Sequence, residues 1–301
     1  MGKVSITDHL FLITARDPKR FPYSNSLLID DEVKGLVDTG LDSAQLKKLA
    51  NENKIDILIN SHYHIDHVRG NWMFPNASLY APTQDALAIS SYDKFLEMTG
   101  FNKNKKLVKF FEKNRPELFG VREKIRIKVR FKDNYEFDFG ETNLRVIHSP
   151  GHTPGHSCFY EPRSKILYST DVDLTSFGPW YGNASSDIED FINSIERLHH
   201  LRPRVVMTSH SGPFEGQDRI DLLFDKYIDV IYKRDEKILD LLKKERTLDD
   251  LVGRGIIYPK PKQPMEMFHF FEEVMLQKHL DRLVEMGDVS RVDKDKYKAE
   301  P

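Results

Sequence analysis

Three histidines and one aspartate fall within six consecutive positions of this chain. The segment Ser61 to His67 reads SHYHIDH and directly follows an apolar run. Alternate side chains of an extended segment point the same way, so His62 and His64 are predicted to hold one metal ion together. Asp66 and His67 are then expected to face the position of a second metal ion. Imidazole and carboxylate suit Zn²⁺, Fe or Mn, so the cluster predicts a functional metal site.

Further ligands should follow other strands, because a site for two ions needs about four ligands per ion. His152 lies in a Pro-Gly-rich turn after an alternating apolar run, and Asp171 and His210 each end an apolar run. Each candidate therefore lies where a strand gives way to a loop. Sites built in this way have rigid supports and open mouths.

The order and spacing of these residues resemble the metallo-β-lactamase superfamily, which includes glyoxalase II, lactonases and ribonuclease Z. The resemblance covers about residues 20 to 220, and Val37-Asp38-Thr39-Gly40 and the segment Pro150 to His156 belong to it. It implies that Asp38 supports the metal ligands through hydrogen bonds. The implied ligands are His62, His64 and His152 for the first ion, Asp66, His67 and His210 for the second, and Asp171 as the bridge between them.

Two nearby polar residues are expected to play no part in metal binding. In the family pattern the first histidine of the Pro150 to His156 segment is the ligand, so His156 is expected to be packed or hydrogen-bonded. Cys158 lies in a short apolar strand and is expected to be a small buried group.

Composition limits the class of protein. The chain has 301 residues and a formal net charge of −2, and is long enough for a full core. Its single cysteine excludes an intrachain disulfide framework. No apolar run approaches the ~20 residues that span a bilayer, and the amino terminus lacks the pattern of a secretory signal. We therefore predict a soluble, cytoplasmic protein with no membrane partner.

Short apolar strands alternate with helical patterns over residues 1–218, and this mixture predicts an α+β chain. The catalytic domain is expected to be a four-layer αββα sandwich, the fold that the resemblance also implies. One helix is expected from about Pro82 to Phe95 and another from near Ser186. Residues about 90–120 are expected to form a helical insertion, either as a packed apolar stripe or as a substrate wall.

A basic stretch follows the insertion. Lys124 to Lys132 alternates strictly between apolar and cationic residues, which is typical of a strand with one solvated face. The same charges could attract an anionic substrate such as a phosphate ester or a nucleic acid.

Residues 219–301 are predicted to form a helical, winged-helix-like module. The patterns indicate a helix from about Gln217 to Lys244, a long helix from Met265 to Met286 and a wing hairpin after it, and they resemble the tail of the β-lactamase-like endoribonucleases. From Arg234 onward there are 14 Lys or Arg against 15 Asp or Glu. This balance does not favour nucleic-acid binding, so packing on the catalytic domain, framing of the pocket or a homodimer contact is expected.

Two ions sharing one water would lower its pKa and provide a hydroxide near neutral pH. We therefore predict a binuclear metal-dependent hydrolase, with zinc as the expected ion and Fe or Mn as alternatives. The substrate is expected to be a small ester, thioester or lactone, or a phosphodiester. Asp66 is expected to orient the nucleophile, and Tyr181 to donate a hydrogen bond to the substrate. The alternatives are a mononuclear-iron oxidoreductase like the persulfide dioxygenases and a nucleic-acid-binding or ribonuclease role through the tail.

Overall fold

The computed structural model describes residues 2–115, 126–260 and 263–301. Within these ranges, two mixed sheets form the centre of the molecule. The first has seven strands in chain order: β1 (Gly2–Ser5), β2 (Leu10–Thr14), β3 (Ser26–Asp30), β4 (Lys34–Val37), β5 (Ile57–Ile59), β6 (Ser78–Pro82) and β7 (Ile127–Phe131).

The second sheet has six strands in the spatial order β13-β12-β11-β10-β9-β8. These are β8 (Glu136–Asp138), β9 (Asn143–His148), β10 (Ser157–Glu161), β11 (Ile166–Tyr168), β12 (Val205–Met207) and β13 (Phe214–Glu215). β4 and β5 are parallel, as are β11 and β12. Since parallel strands end at the same edge of their sheet, the loops that follow each pair are neighbours.

Helices cover the sheets and make up much of the tail. They are α1 (Ser43–Glu52), α2 (Ile65–Val68), α3 (Ala86–Ser90), α4 (Tyr92–Thr99), α5 (Lys105–Lys113), α6 (Ile188–His200), α7 (Gln217–Leu241), α8 (Leu248–Leu251) and α9 (Met265–Met286). No helix among the described residues is both long and apolar enough to cross a bilayer.

Three apolar clusters define the layers. The core between the sheets joins Leu12 and Leu27 of the first sheet to Phe159 and Tyr168 of the second. On the other face of the first sheet, Leu46 of α1 packs with strand residues including Leu28 and Leu36. On the other face of the second sheet, residues of α6 and α7 pack with Leu167 and Val206. The expected four-layer αββα sandwich is therefore confirmed.

The single helix expected from about Pro82 to Phe95 is wrong, because the segment contains two helices. Ser91 between them is extended, with φ −129° and ψ 125°, and its hydroxyl accepts a hydrogen bond from the backbone N–H of Lys94. A serine that caps a new helix in this way ends the preceding one. The helix expected near Ser186 is present as α6, which Asp187 caps through the N–H of Asp190.

The described part of the insertion packs inward. Phe95, Phe101 and Phe111 are buried in one cluster with Tyr63 of the histidine segment and Met267 of α9. The expected apolar stripe is therefore present, and it joins the histidine segment to the tail. Residues 116–120 of the expected insertion and residues 124–125 of the expected basic strand lie outside the described residues. β7 alternates as predicted, with Lys128 and Arg130 exposed.

The tail begins along α7 and ends in a small sheet. Its strands are β14 (Arg246–Thr247), β15 (Val289–Asp293) and β16 (Lys296–Ala299), in the order β14-β16-β15. The hairpin expected after α9 is thus present. One apolar cluster contains both Val206 of β12 and Leu276 of α9, so the tail packs on the second sheet and its helices. The winged-helix assignment and the division at residue 218 stay predictions.

Candidate metal centre

The predicted metal ligands all lie in the segments that follow strands, and Asp66 and His67 lie in the short helix α2. The histidine segment follows β5, which ends at Ile59, while Asp171 and His210 follow β11 and β12. His152 lies between β9 and β10. His64 has extended backbone and directly precedes α2, whose first turn carries Asp66. The short helix turns the chain, so that the two halves of the segment face different positions.

The first group consists of His62, His64, His152 and Asp171, whose ligand atoms all lie within 4.8 Å of one another. Nε2 of His152 lies 3.1 Å from Oδ2 of Asp171, and Nε2 of His62 lies 3.7 Å from the same oxygen. Nδ1 of His64 lies 2.9 Å from Nε2 of His152. Three imidazoles thus converge on one side of the Asp171 carboxylate.

The second group consists of Asp66, His67 and His210, again with ligand atoms within 4.8 Å of one another. Nε2 of His67 and Nε2 of His210 lie 3.0 Å and 3.7 Å from Oδ1 of Asp171. Oδ2 of Asp66 lies 3.5 Å from Nε2 of His210. The structure therefore brings all seven predicted residues together, and the two oxygens of Asp171 face different groups.

The buried atoms of this cluster fit a metal centre. Nε2 of His62, Nε2 of His67 and Oδ1 of Asp171 are buried and make no hydrogen bond to any other described residue. Nε2 of His67 and Oδ1 of Asp171 lie 3.0 Å apart without a hydrogen bond between them. A buried polar atom without a partner is costly, so unpaired nitrogen and oxygen atoms that face one point are expected where an ion binds.

The other ring nitrogens of the histidines are occupied. Nδ1 of His67 donates to Oδ2 of Asp38 over 2.7 Å, Nδ1 of His152 donates to the carbonyl of Trp180 over 2.8 Å, and Nδ1 of His210 donates to the carbonyl of Pro18 over 2.6 Å. Histidine ligands of metal ions almost always donate their second nitrogen in this way, because that bond fixes the tautomer and the ring orientation. The expected supporting contact of Asp38 is therefore observed.

Asp38 also organises the start of the histidine segment. Its carboxylate accepts hydrogen bonds from the backbone N–H of Ser61 over 2.8 Å and from the Ser61 hydroxyl over 2.6 Å. The backbone of Asp38 is left-handed, with φ +62°, a conformation that Asp and Asn tolerate better than most side chains.

Sequence reasoning missed three polar residues of the site. Asn183 is hydrogen-bonded through its amide to Nε2 of His64, 2.5 Å away. Asp173 accepts the backbone N–H of His210 over 2.9 Å and forms a third possible ligand group with His210 and Asp171. Its position two residues after Asp171, on the same side of an extended segment, is a signal that could have found it.

Asp85 is the third missed residue, and it joins the two histidine-bearing loops. Its carboxylate accepts from the N–H of Tyr63 over 3.1 Å, the N–H of Gly155 over 2.7 Å and the hydroxyl of Thr153 over 2.6 Å. These partners flank the ligand candidates on both loops, so Asp85 holds the loops at a fixed separation.

Burial and charge set the protonation states of the cluster. Burial, reinforced by neighbouring imidazoles, lowers the pKa of His62 and His64 well below the ordinary value, so both are neutral. Burial opposes ionisation of Asp171, but the imidazoles led by His67 and His62 hold the pKa of this carboxyl well below its usual range. Neutral imidazole and ionised carboxylate are the forms that bind metal ions.

Tyr181 does not lie where its expected role requires. Its side chain is fully buried, and its hydroxyl is bonded to Nε2 of His279 over 2.7 Å and to Nη1 of Arg234 over 2.8 Å. Because these tail residues already occupy the hydroxyl, it has no hydrogen bond to offer a substrate, and the structure argues against a catalytic role.

His156 and Cys158, which were expected to be packed side chains, are both buried. His156 is buried between the carbonyl of Ser149 and the hydroxyl of Thr170, and lies in none of the ligand groups found among the described residues. Cys158 is buried, which raises the pKa of its thiol to about 12.

The four-layer fold and the two His/Asp groups at its edge define a metalloprotein of the metallo-β-lactamase type. The family model described as the Metallo-beta-lactamase superfamily matches residues 20–210, and the chain belongs to this superfamily. The prediction that the protein is a metal-dependent hydrolase is confirmed as a general class, because relatives of this chain are named as hydrolases.

Three similar proteins illustrate the relationship. The chain is 28% identical over 221 residues to acyl-coenzyme A thioesterase MBLAC2 of Homo sapiens, covering 71% of each protein. It is 24% identical over 122 residues to hydroxyacylglutathione hydrolase of Rhizobium etli, covering 40% of this chain but 34% of that protein. A crystal structure of a metallo-beta-lactamase family protein from Thermus thermophilus matches with a TM-score of 0.74 and 22% identity, over 98% of this chain and all of that one, which supports the fold alone.

Proposed function

We propose that this protein is a binuclear metal-dependent hydrolase of carboxylic thioesters. The observation that carries the proposal is the position of Asp171, whose two carboxylate oxygens face separate ligand groups. We assign His62, His64 and His152 to one ion, Asp66, His67 and His210 to the other, and Asp171 to both. Zn²⁺ is the proposed ion, since these nitrogen and oxygen ligands suit it.

When bound, two divalent ions would polarise a substrate carbonyl and lower the pKa of water. The protein side chains supply position and proton handling. The Asp66 side chain is 13% exposed and lies 3.5 Å from His210, so it can accept a hydrogen bond from an attacking water at the mouth of the site. Asp38 keeps the proton of His67 on Nδ1, which leaves Nε2 as the ligand atom.

A thioester is favoured among the carbonyl substrates by two observations. One relative is named as a thioesterase and another as a hydrolase of an acylated glutathione. In addition, the site is bordered by aromatic side chains. The Trp180 ring lies 5.6 Å from that of His64 and 5.5 Å from that of His152, and the Phe271 ring lies 5.0 Å from Trp180. Apolar walls of this kind suit an acyl chain better than a phosphodiester backbone.

The test begins with metal-free protein that is reloaded with Zn²⁺ and analysed for metal content. Turnover is then measured on an acyl-coenzyme A, an acylated glutathione, a nitrophenyl ester, a lactone and a phosphodiester. We expect two ions per chain and the highest kcat/KM on a thioester. The Asp171→Ala variant should lose both ions and at least about 1,000-fold in kcat/KM, whereas Asp93→Ala on the exposed face of α4 should match the wild type.

Three outcomes would contradict the proposal. Two bound ions and full turnover in Asp171→Ala would remove the bridging role. One iron per chain with oxygen consumption would favour the oxidoreductase alternative. Cleavage of the phosphodiester in preference to every carbonyl compound would favour a nuclease.

A further inference from the structure

A chain of hydrogen bonds connects the candidate metal centre to the tail. It begins at Trp180, whose carbonyl accepts the N–H of His152, and continues through the next residue, Tyr181. The Tyr181 hydroxyl contacts Nε2 of His279 on α9 over 2.7 Å, and Nδ1 of His279 contacts Oδ1 of Asp235 on α7 over 2.6 Å. Arg282, one turn after His279, contacts the other oxygen of Asp235.

One set of proton positions satisfies every bond in this chain. The carboxylate of Asp235 only accepts, so Nδ1 of His279 carries the proton and donates. Nε2 of His279 then accepts from the Tyr181 hydroxyl, whose oxygen accepts in turn from Nη1 of Arg234 over 2.8 Å. Burial lowers the pKa of His279 despite the Asp235 carboxylate, which is consistent with a neutral ring. A buried network in which every bond is satisfied holds its members rigidly.

Arg234 fixes the rest of the loop. Its guanidinium donates to the carbonyl of Pro179 and to the carbonyl of Phe177, each over 2.7 Å, and Arg234 is 2% exposed. Trp180 is held as well, because its indole N–H donates to the hydroxyl of Tyr258 over 3.1 Å. Four residues of the Phe177–Tyr181 segment are therefore hydrogen-bonded to residues of the tail.

We propose that His279, Asp235 and Tyr181 are positioning residues for the metal centre, through which the tail holds the Trp180 carbonyl against His152. The proposal rests on the ligand set assigned above. The coupling works in both directions. If the docked tail strengthens the binding of an ion to His152, binding of that ion must stabilise the docked tail by the same free energy.

The variants Tyr181→Phe and His279→Gln test this inference with Zn²⁺ as the probe. Tyr181→Phe keeps the ring and removes the hydroxyl. His279→Gln removes the imidazole donor to Asp235 and keeps a polar group near Tyr181. Each should weaken binding of one of the two Zn²⁺ ions about tenfold in a chelator competition, as loss of a supporting hydrogen bond does elsewhere, and leave the other ion nearly unchanged. His269→Gln is the matched control, because His269 lies on the same helix with a 59% exposed side chain.

A second measurement uses the wild-type chain and stands even if a variant fails to fold. Amide hydrogen exchange is compared with and without Zn²⁺, and we expect slower exchange both in residues 177–181 and in α9, which contains no proposed ligand. The inference is overturned if Zn²⁺ slows exchange at the ligand loops alone, or if folded Tyr181→Phe and His279→Gln bind both ions as the wild type does. A wild-type chain that binds no Zn²⁺ would instead contradict the proposed function.

Discussion

Oδ2 of Asp38 lies 2.7 Å from Nδ1 of His67, and neither side chain is exposed to solvent. Burial disfavours a charged imidazole, but Asp171, Asp38 and Asp66 together raise the pKa of His67 well above the ordinary value in the metal-free chain. A zinc ion at Nε2 would take over the role of the ring proton as the partner of these carboxylates. Asp38 thus favours the electron-rich imidazole that a metal ion requires.

The variant Asp38→Asn should therefore bind the second Zn²⁺ ion about 10- to 100-fold more weakly, while the first ion is less affected. Asparagine tolerates the left-handed backbone at this position, so the chain should still fold. Chelator competition measures the two affinities, and Asp93→Asn on the surface serves as the control. Unchanged affinity for both ions would show that Asp38 does not tune His67.

All seven metal-ligand candidates could be found from sequence because each combines a suitable residue type with a position in a segment that follows a strand. His62 and Asp171 are examples, since an apolar strand precedes each of them. The groups that accept hydrogen bonds from the histidine ligands were only partly predictable. Asp38 is a carboxylate within a family motif and could be predicted, whereas the carbonyls of Trp180 and Pro18 could not, because every residue has a carbonyl and only the fold selects one.

The Tyr181 role that the structure argues against, the missed Asp85 and the missed helix break have physical causes of the same kind. An aromatic residue after a strand, such as Tyr181, can face the substrate or the core, and its direction depends on Arg234 and His279 far along the chain. Asp85 gave no signal because its partners Tyr63 and Gly155 become neighbours only through folding. The helix break at Ser91 was missed because a serine in an otherwise helical pattern can either remain inside one helix or cap a new one, and the pattern does not distinguish the two.

Gly151 lies where a side chain has no room. Its φ is +118°, and a Cβ atom would lie 2.3 Å from the backbone nitrogen of Phe191 in α6. Backbone strain and overpacking each cost about 1–3 kcal/mol, so Gly151→Ala should lower the free energy of unfolding by about 2–6 kcal/mol. Gly253→Ala is the matched control, with φ +73° and no atom within 4 Å, and should cost about 1 kcal/mol.

Urea unfolding of the metal-free variants measures this difference. Since His152 follows Gly151 directly, the Gly151→Ala variant should also bind Zn²⁺ more weakly than Gly253→Ala does. Equal loss of stability in the two variants would mean that the contact with Phe191 relaxes without cost.

The Cys158 thiol should be unreactive in the folded protein. With its pKa raised to about 12 by burial, only about one thiol in 10,000 is ionised at pH 8, and the thiolate is the reactive form. Reaction with a thiol reagent should thus be at least about 100-fold slower in the native chain than in urea. Because this is the single cysteine of the sequence, the signal has one source. Equally fast labelling of the native chain would show that the β10 strand opens readily.

Asp85 should make stability depend on pH in a direction opposite to that of most carboxylates. Burial outweighs its three hydrogen bonds and raises the pKa of Asp85 to about 6. The folded chain therefore holds this proton more tightly than the unfolded chain, so the stabilisation is complete below pH about 4 and is lost as the pH rises through about 6. An asparagine cannot titrate, so the comparison of the wild type with Asp85→Asn isolates this proton.

The advantage of the wild type over Asp85→Asn in free energy of unfolding should shrink by on the order of 2 kcal/mol between pH 4 and pH 7.5. Urea unfolding of metal-free protein at both pH values measures it. If the advantage instead grows with pH, the hydrogen bonds from Tyr63, Thr153 and Gly155 stabilise the ionised carboxylate more than burial destabilises it. Asp85 would then be charged at pH 4 as well as at pH 7.5.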